Sequence, residues 1–145
     1  EINPKIEISS DFIIGYPGET EKDFRQTLEL VDELKFTQSF SFIYSPRPGT
    51  KSALDDDTTP VAIKKDRLSI LQEKLRNIQF EFNKSFLNKN IDVLIENQST
   101  SNSDYFFGRT PFMQSVYIKA QNLRVGGVKN VNISSCNHKS LYATC

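Results

Sequence analysis

Cysteine is almost missing from this chain: Cys136 and Cys145 are the only two in 145 residues, and His138 is the only histidine. Two thiols nine apart cannot build a disulfide framework, which reads as a cytosolic chain. With one imidazole they also fall short of four structural zinc ligands unless carboxylates join them. Long apolar runs are missing too. Nothing approaches the roughly 18 residues that span a bilayer, and no signal peptide opens the chain, so no membrane role is expected. Nor is there net charge, since 18 Lys/Arg offset 18 Asp/Glu.

That zero conceals a split. Residues 1–60 carry 6 Lys/Arg against 12 Asp/Glu, a net of −6, and residues 61–145 carry 12 against 6, a net of +6. Such asymmetry points to two modules, with the basic one a candidate for an anionic partner, although scattered surface charge gives the same sums. Apolar residues make up 37% and charged residues 25%, enough for a modest core in one ordinary domain or two small ones. The run Asp55-Asp56-Asp57 lacks calcium-loop spacing and reads as a flexible acidic loop.

What is present is organised around Ile6–Thr20, I-E-I-S-S-D-F-I-I-G-Y-P-G-E-T. An Ile/Phe-rich strand runs into a Gly/Pro turn that opens a helix with a capping-box-like start at Thr20–Asp23. Glycines let backbone approach a ligand, and free N–H groups at the helix start point the same way. A parallel strand so near the start needs ladder partners, so the expectation is a fragment of a longer α/β protein. A helix follows over about Glu21–Leu34, with Phe24, Leu28, Val31 and Leu34 on one stripe that should lie against the sheet. A second strand, Gln38–Tyr44, ends in Ser45-Pro46-Arg47-Pro48-Gly49-Thr50. Both strands thus end in Gly/Pro loops on one face, the ligand face of a parallel sheet. Arg47, between two prolines, suits a fixed anion contact or is a solvated residue of a stiff linker.

Pro60, after Thr58 and Thr59, starts a long helix to about Asn83, with Leu68, Leu71, Leu75, Ile78 and Phe82 as its apolar seam. Lys64, Lys65, Arg67, Lys74 and Arg76 are expected on its other faces. From Lys84 the period changes to two, with strands expected at Ile91–Glu96, Tyr105–Gly108, Ser115–Ala120, Val131–Ser134 and Ser140–Thr144. Five short strands in some 60 residues suggest a small closed antiparallel β-barrel, a form that often binds nucleic acid. Arg109, Lys119, Arg124, Lys129 and Lys139, beside Tyr105, Phe106, Phe107 and Tyr117, supply cations and stacking surfaces, with about half of those rings expected in the core.

Ser9–Thr20 (S-S-D-F-I-I-G-Y-P-G-E-T) and Phe40–Thr50 (F-S-F-I-Y-S-P-R-P-G-T) closely resemble the radical-SAM methylthiotransferases, above all those that make 2-methylthio-N6-dimethylallyladenosine in tRNA. The tail, with Asp92-Val93-Leu94-Ile95-Glu96 and Gly108-Arg109-Thr110, looks like their closing TRAM domain. The resemblance implies an α/β part followed by an all-β part. Residues 1–76 would hold the last two βα units of a partial parallel, TIM-like barrel and a linking helix, and residues 77–145 a TRAM-like RNA-binding β-barrel. It covers nearly the whole chain but only the last third or so of a full-length member.

By the same resemblance, Gly15, Tyr16, Pro17, Gly18 and Glu19 pack against the adenosyl part of S-adenosylmethionine. Ile43 and Tyr44 meet its adenine through backbone, and Arg47 lies near the cofactor or the RNA. Arg109, Lys119 and Arg124 are the implied contacts to the tRNA anticodon stem-loop. Family members hold two 4Fe–4S clusters on cysteines, one set in a C-x3-C-x2-C motif within N-terminal and radical-SAM core regions missing from this chain. With neither set present, no catalytic or metal-binding residue is expected, and the chain alone is expected to be inactive. Two departures stand out: the usual G-R-T-x-x-N-R reads Gly108-Arg109-Thr110-Pro111-Phe112-Met113-Gln114-Ser115, and the closing S-L-x-G reads Ser140-Leu141-Tyr142-Ala143. The readings left open are a methylthiotransferase fragment, a stand-alone RNA-binding module, and an inactive remnant.

Overall fold

In the computed structural model, residues 6–55, 57 and 59–145 are described; Asp56 of the acidic loop and Thr58 before Pro60 lie outside them. The chain divides into two compact units, Glu1–Ile78 and Gln79–Cys145.

In the first unit, β1 (Ser9–Ile14) and β2 (Gln38–Ile43) pair in parallel, with Asp11 opposite Phe40 and Ile13 opposite Phe42. Helix α1 (Glu21–Leu34) starts where expected because the Thr20 hydroxyl accepts from the Asp23 N–H at 3.2 Å while the Asp23 carboxylate accepts from the Thr20 N–H at 2.8 Å. The Thr20 hydroxyl, donating to the Asp23 carboxylate at 2.6 Å, and then the Thr20 N–H hold the Asp23 carboxyl below the usual carboxylate range. Phe24 and Val31 are buried and Leu28 partly so, but Leu34 is exposed, because the helix ends there with Lys35 in the left-handed region. Helix α2 (Val61–Lys84) lays Leu71 and Leu75 into the same core as Phe12, Ile14 and Phe36. The expected solvent positions of Lys64 and Arg67 are overturned: they are 3% and 8% exposed. Charged groups stay buried only when paired, and both are, Lys64 with Asp57 and Arg67 with Glu19.

Among the described residues, only one face of this two-stranded sheet is covered. Phe12 and Ile14 point into the core, while Ile13, Phe40 and Phe42 on the opposite face are 56%, 66% and 55% exposed.

In the second unit, β3 (Asn90–Gln98), β4 (Tyr105–Arg109), β5 (Ser115–Lys119), β6 (Val128–Cys136) and β7 (Ser140–Thr144) close a barrel in the order β3-β4-β5-β7-β6. Alternate residues fill it, chiefly Val93, Ile95, Phe106, Val116, Ile118, Val131, Ile133 and Leu141. The barrel is not wholly antiparallel. β5 and β7 run parallel, because the β6–β7 hairpin folds back to set β7 beside β5.

Gly108 sits where β4 crosses the β3 bulge between Ile95 and Asn97. A Cβ there would collide with the Leu94 carbonyl and lie 2.6 Å from Val93 Cγ1. Backbone atoms cannot rotate away, so Gly108→Ala is expected to cost about 1–3 kcal/mol of barrel stability. Urea unfolding followed by circular dichroism measures it.

Candidate functional site

In the first unit the two Gly/Pro loops do meet at the carboxyl edge of β1 and β2. The Tyr44 N–H donates to the Ile14 carbonyl at 2.8 Å, and the Tyr16 and Tyr44 rings pack edge to face with centroids 5.2 Å apart. Gly15 turns the chain with φ of +73°, and its N–H donates to Glu19 Oε2 at 2.9 Å. Pro17 and Gly18 complete the turn, with the Glu19 N–H donating back to the Tyr16 carbonyl at 2.9 Å.

Arg67 then clamps the turn. Its Nη1 donates to Glu19 Oε1 at 2.7 Å and to the Glu19 carbonyl at 3.2 Å, while its Nη2 reaches Glu21 at 3.4 Å. The guanidinium also lies 5.5 Å from the Phe24 ring centroid. Lys64 closes the other side: its aliphatic stem fills the space where a Gly15 Cβ would sit, 2.5 Å from its Cγ. Glu19 is thereby spent on structure, one oxygen on Gly15 and one on Arg67.

Among the described residues, two polar atoms at this edge are buried with no hydrogen-bond partner, the Tyr44 hydroxyl and Arg67 Nε. Ile43 ends β2 half-buried, and Arg47 is exposed, its carbonyl accepting from the Thr50 hydroxyl at 2.8 Å. The expected residues Gly15–Glu19, Ile43 and Tyr44 therefore share one edge. Lys64 and Arg67 were missed, although the α2 seam continued backwards from Leu68 and Leu71 by four residues lands on them.

The residues present do not fit an iron–sulfur cluster. A cluster of this kind needs several thiolates, and Cys136 and Cys145 are the only cysteines. Burial pushes the half-buried Cys136 thiol up, away from the thiolate form. Among the described residues no group of three His, Cys, Asp or Glu could hold a metal ion, and no helix is long and apolar enough to cross a membrane.

In the second unit the RNA candidates separate. Lys119 and Arg124 are exposed. Arg109 ends β4 half-buried, its Nη1 donating to the Met113 carbonyl at 3.1 Å and its Nε 3.5 Å from Glu96. Of the four expected rings, Phe106 is core and Tyr105, Phe107 and Tyr117 are on the surface. The Gly108–Ser115 departure acquires a structural meaning. Gln114 Nε2 donates to the buried Asn83 Oδ1 at 2.6 Å, and Asn83 Nδ2 donates to the Asn137 carbonyl at 2.8 Å, tying the β4–β5 turn to the last turn of α2. Phe82, Phe86 and Phe112 pack around this tie.

Arg67 offers the sharpest mutational test in the first unit. Arg67→Ala leaves the nearly buried Glu19 unpaired and is expected to cost about 3–5 kcal/mol. Arg47→Ala removes an exposed side chain and is expected to fall within about 0.5 kcal/mol. Denaturant titration of the two variants gives both values.

No protein-family model matches the chain. It is, however, 49% identical over 144 residues to a tRNA-2-methylthio-N(6)-dimethylallyladenosine synthase of Pelagibacter ubique, covering 98% of this chain and 31% of that protein. Proteins of the same name from Rickettsia conorii and Wolbachia pipientis wMel are 44% and 41% identical over 142 residues, each covering 97% of this chain. The chain spans about a third of the length of these relatives and corresponds to their C-terminal part.

Proposed function

Because the sequence belongs to the C-terminal part of the tRNA-2-methylthio-N(6)-dimethylallyladenosine synthase family, we propose that it serves as the tRNA-holding end and part of the cofactor wall of such an enzyme. The carrying observation is 49% identity across 98% of the chain to a protein three times as long. The whole enzyme adds a methylthio group to an isopentenyl-type adenosine next to the anticodon, in the cytoplasm, using S-adenosylmethionine and two 4Fe–4S clusters. The module boundaries we propose are 1–76 for the end of the partial TIM-like barrel with its linking helix, and 77–145 for the TRAM-like barrel.

The uncovered sheet face supports the first part of this reading. Ile13, Phe40 and Phe42 are too apolar to be left in water, and the preceding two-thirds of a family member would cover them. The Gly15–Glu19 turn brings close backbone and the Tyr16 ring to the carboxyl edge, where S-adenosylmethionine would supply the sulfonium chemistry. Ile43 and Tyr44 would line its adenine, and the unpartnered Tyr44 hydroxyl has capacity for a ligand atom. Arg47, exposed on a Pro-stiffened loop, would meet the cofactor or the RNA as a cation. In the second unit Arg109, Lys119 and Arg124 would meet the RNA.

The clusters belong to regions outside this sequence. Iron and sulfide reconstitution of the 145-residue chain is expected to give no 4Fe–4S absorbance and no cleavage of S-adenosylmethionine; stoichiometric cluster uptake would contradict this assignment.

Residues 77–145 carry 7 Lys/Arg against 4 Asp/Glu, a net of +3. With about three or four phosphates neutralised, binding of a tRNA anticodon stem-loop is expected to be weak, with a log–log salt slope of roughly −2 to −3. Titration at two salt concentrations, with Arg109→Ala plus Arg124→Ala as the weakened variant, measures it. Loss of the slope or indifference to the variant counts against the RNA reading.

A further inference from the structure

Nine positions on the three neighbouring strands β4, β5 and β7 alternate with those that fill the barrel, and the register aligns them in three rows; Ser140 at the edge of the last row is buried. Tyr105, Lys119 and Thr144 form the first row, Phe107, Tyr117 and Tyr142 the second, and Arg109, Ser115 and Ser140 the third. The middle row is wholly aromatic. Phe107 and Tyr117 have centroids 5.5 Å apart, and Tyr117 and Tyr142 stack at 5.7 Å with planes 18° apart. Tyr117, at the centre, is 42% exposed. The Arg109 guanidinium lies 5.5 Å from the Phe107 ring at one side of the row, and Lys119 stands at the other. None of the nine positions is a carboxylate, on a chain with no net charge; Glu96 is paired with Arg109, and Asp104 precedes Tyr105 in the sequence.

An open groove of about 580 Å³ adjoins the row. Tyr105, Phe107 and Tyr117 form part of its wall, and Asn97, Gln98 and Asn102 add side-chain amides. At the far end Asn137 Nδ2 donates to the Tyr142 hydroxyl at 3.0 Å, which fixes that ring.

We propose that this face is a stacking platform for unpaired RNA bases, with Tyr117 as its centre and Phe107 and Tyr142 beside it. The inference rests on the RNA-binding reading above and adds to it the form of RNA taken. Aromatic rings bind the flat faces of bases that have left a helix, and cations on both sides of the row take the phosphates of the same strand. Gln98 Nε2 already donates to the Ser103 carbonyl at 2.6 Å and Asn102 Oδ1 accepts from the Asp104 N–H at 3.0 Å, so base edges would meet Asn97, the Gln98 oxygen and the Asn102 amino group. A duplex, whose bases are covered by their neighbours, offers nothing to the middle row.

The test uses the 145-residue chain and an unstructured RNA strand of about eight nucleotides, intact or with its bases removed. Tyr117→Ala is expected to weaken the intact strand about ten-fold. It should leave the abasic strand and the salt slope unchanged, and Tyr117→Phe should restore binding. Lys119→Ala is expected to weaken both strands and reduce the salt slope by about 0.7. If Tyr117→Ala loses its circular dichroism signal, Tyr117→Leu, which keeps the apolar bulk, takes its place with the same expected loss. Equal affinity for intact and abasic strands, or wild-type binding by a folded Tyr117 variant, overturns the platform while the RNA reading stands. Absence of any RNA binding at low salt overturns both.

Discussion

A β-strand carries hydrogen-bonding groups along both edges, and the need to pair them divides this chain into two kinds of architecture. The second unit meets that need by closure. Its five strands join into a ring, and the one parallel ladder, β5 with β7, is the join that makes the ring complete. Among the described residues the first unit has two paired strands, and Ile13, Phe40 and Phe42 on one face of them are exposed.

Closure also sets what the barrel surface can do. Once alternate side chains are committed to the interior, the other alternate set is forced outward in register, so one aromatic on each of three strands becomes a continuous row. Gly108 serves the same end from below, because it lets β3 and β4 approach at the bulge beside that row. The buried Asn83–Gln114 contact then fixes the turn joining β4 to β5.

Local pattern carried much of this. The Thr20–Asp23 cap and the 3.6-residue stripes placed both helices, and the change to period two placed all five barrel strands to within a few residues. Strand order was not legible, since β5 and β7 are brought together by the intervening β6, not by anything in their own residues. The burial of Lys64 and Arg67 was hidden for a similar reason: a cation on a helix reads as solvated until its partner is found, and Glu19 lies 48 residues from Arg67. The loop edge bearing Gly15–Glu19 and Tyr44 was visible from its glycines and prolines. Tyr142 escaped notice because its value depends on a parallel neighbour, whereas Tyr117 and Phe107 stood out by sequence alone.

The packing of Gly15 against Lys64 binds two distant positions into one unit of inheritance. Position 15 disfavours a side chain because its φ of +73° is strained for any residue but glycine and because the Lys64 stem already fills the space. Relieving only the second obstacle, by shortening residue 64, leaves the backbone strain and empties a space next to the turn. Single steps at either position are therefore losses, and a lineage can change this corner only by remaking the turn and the helix together.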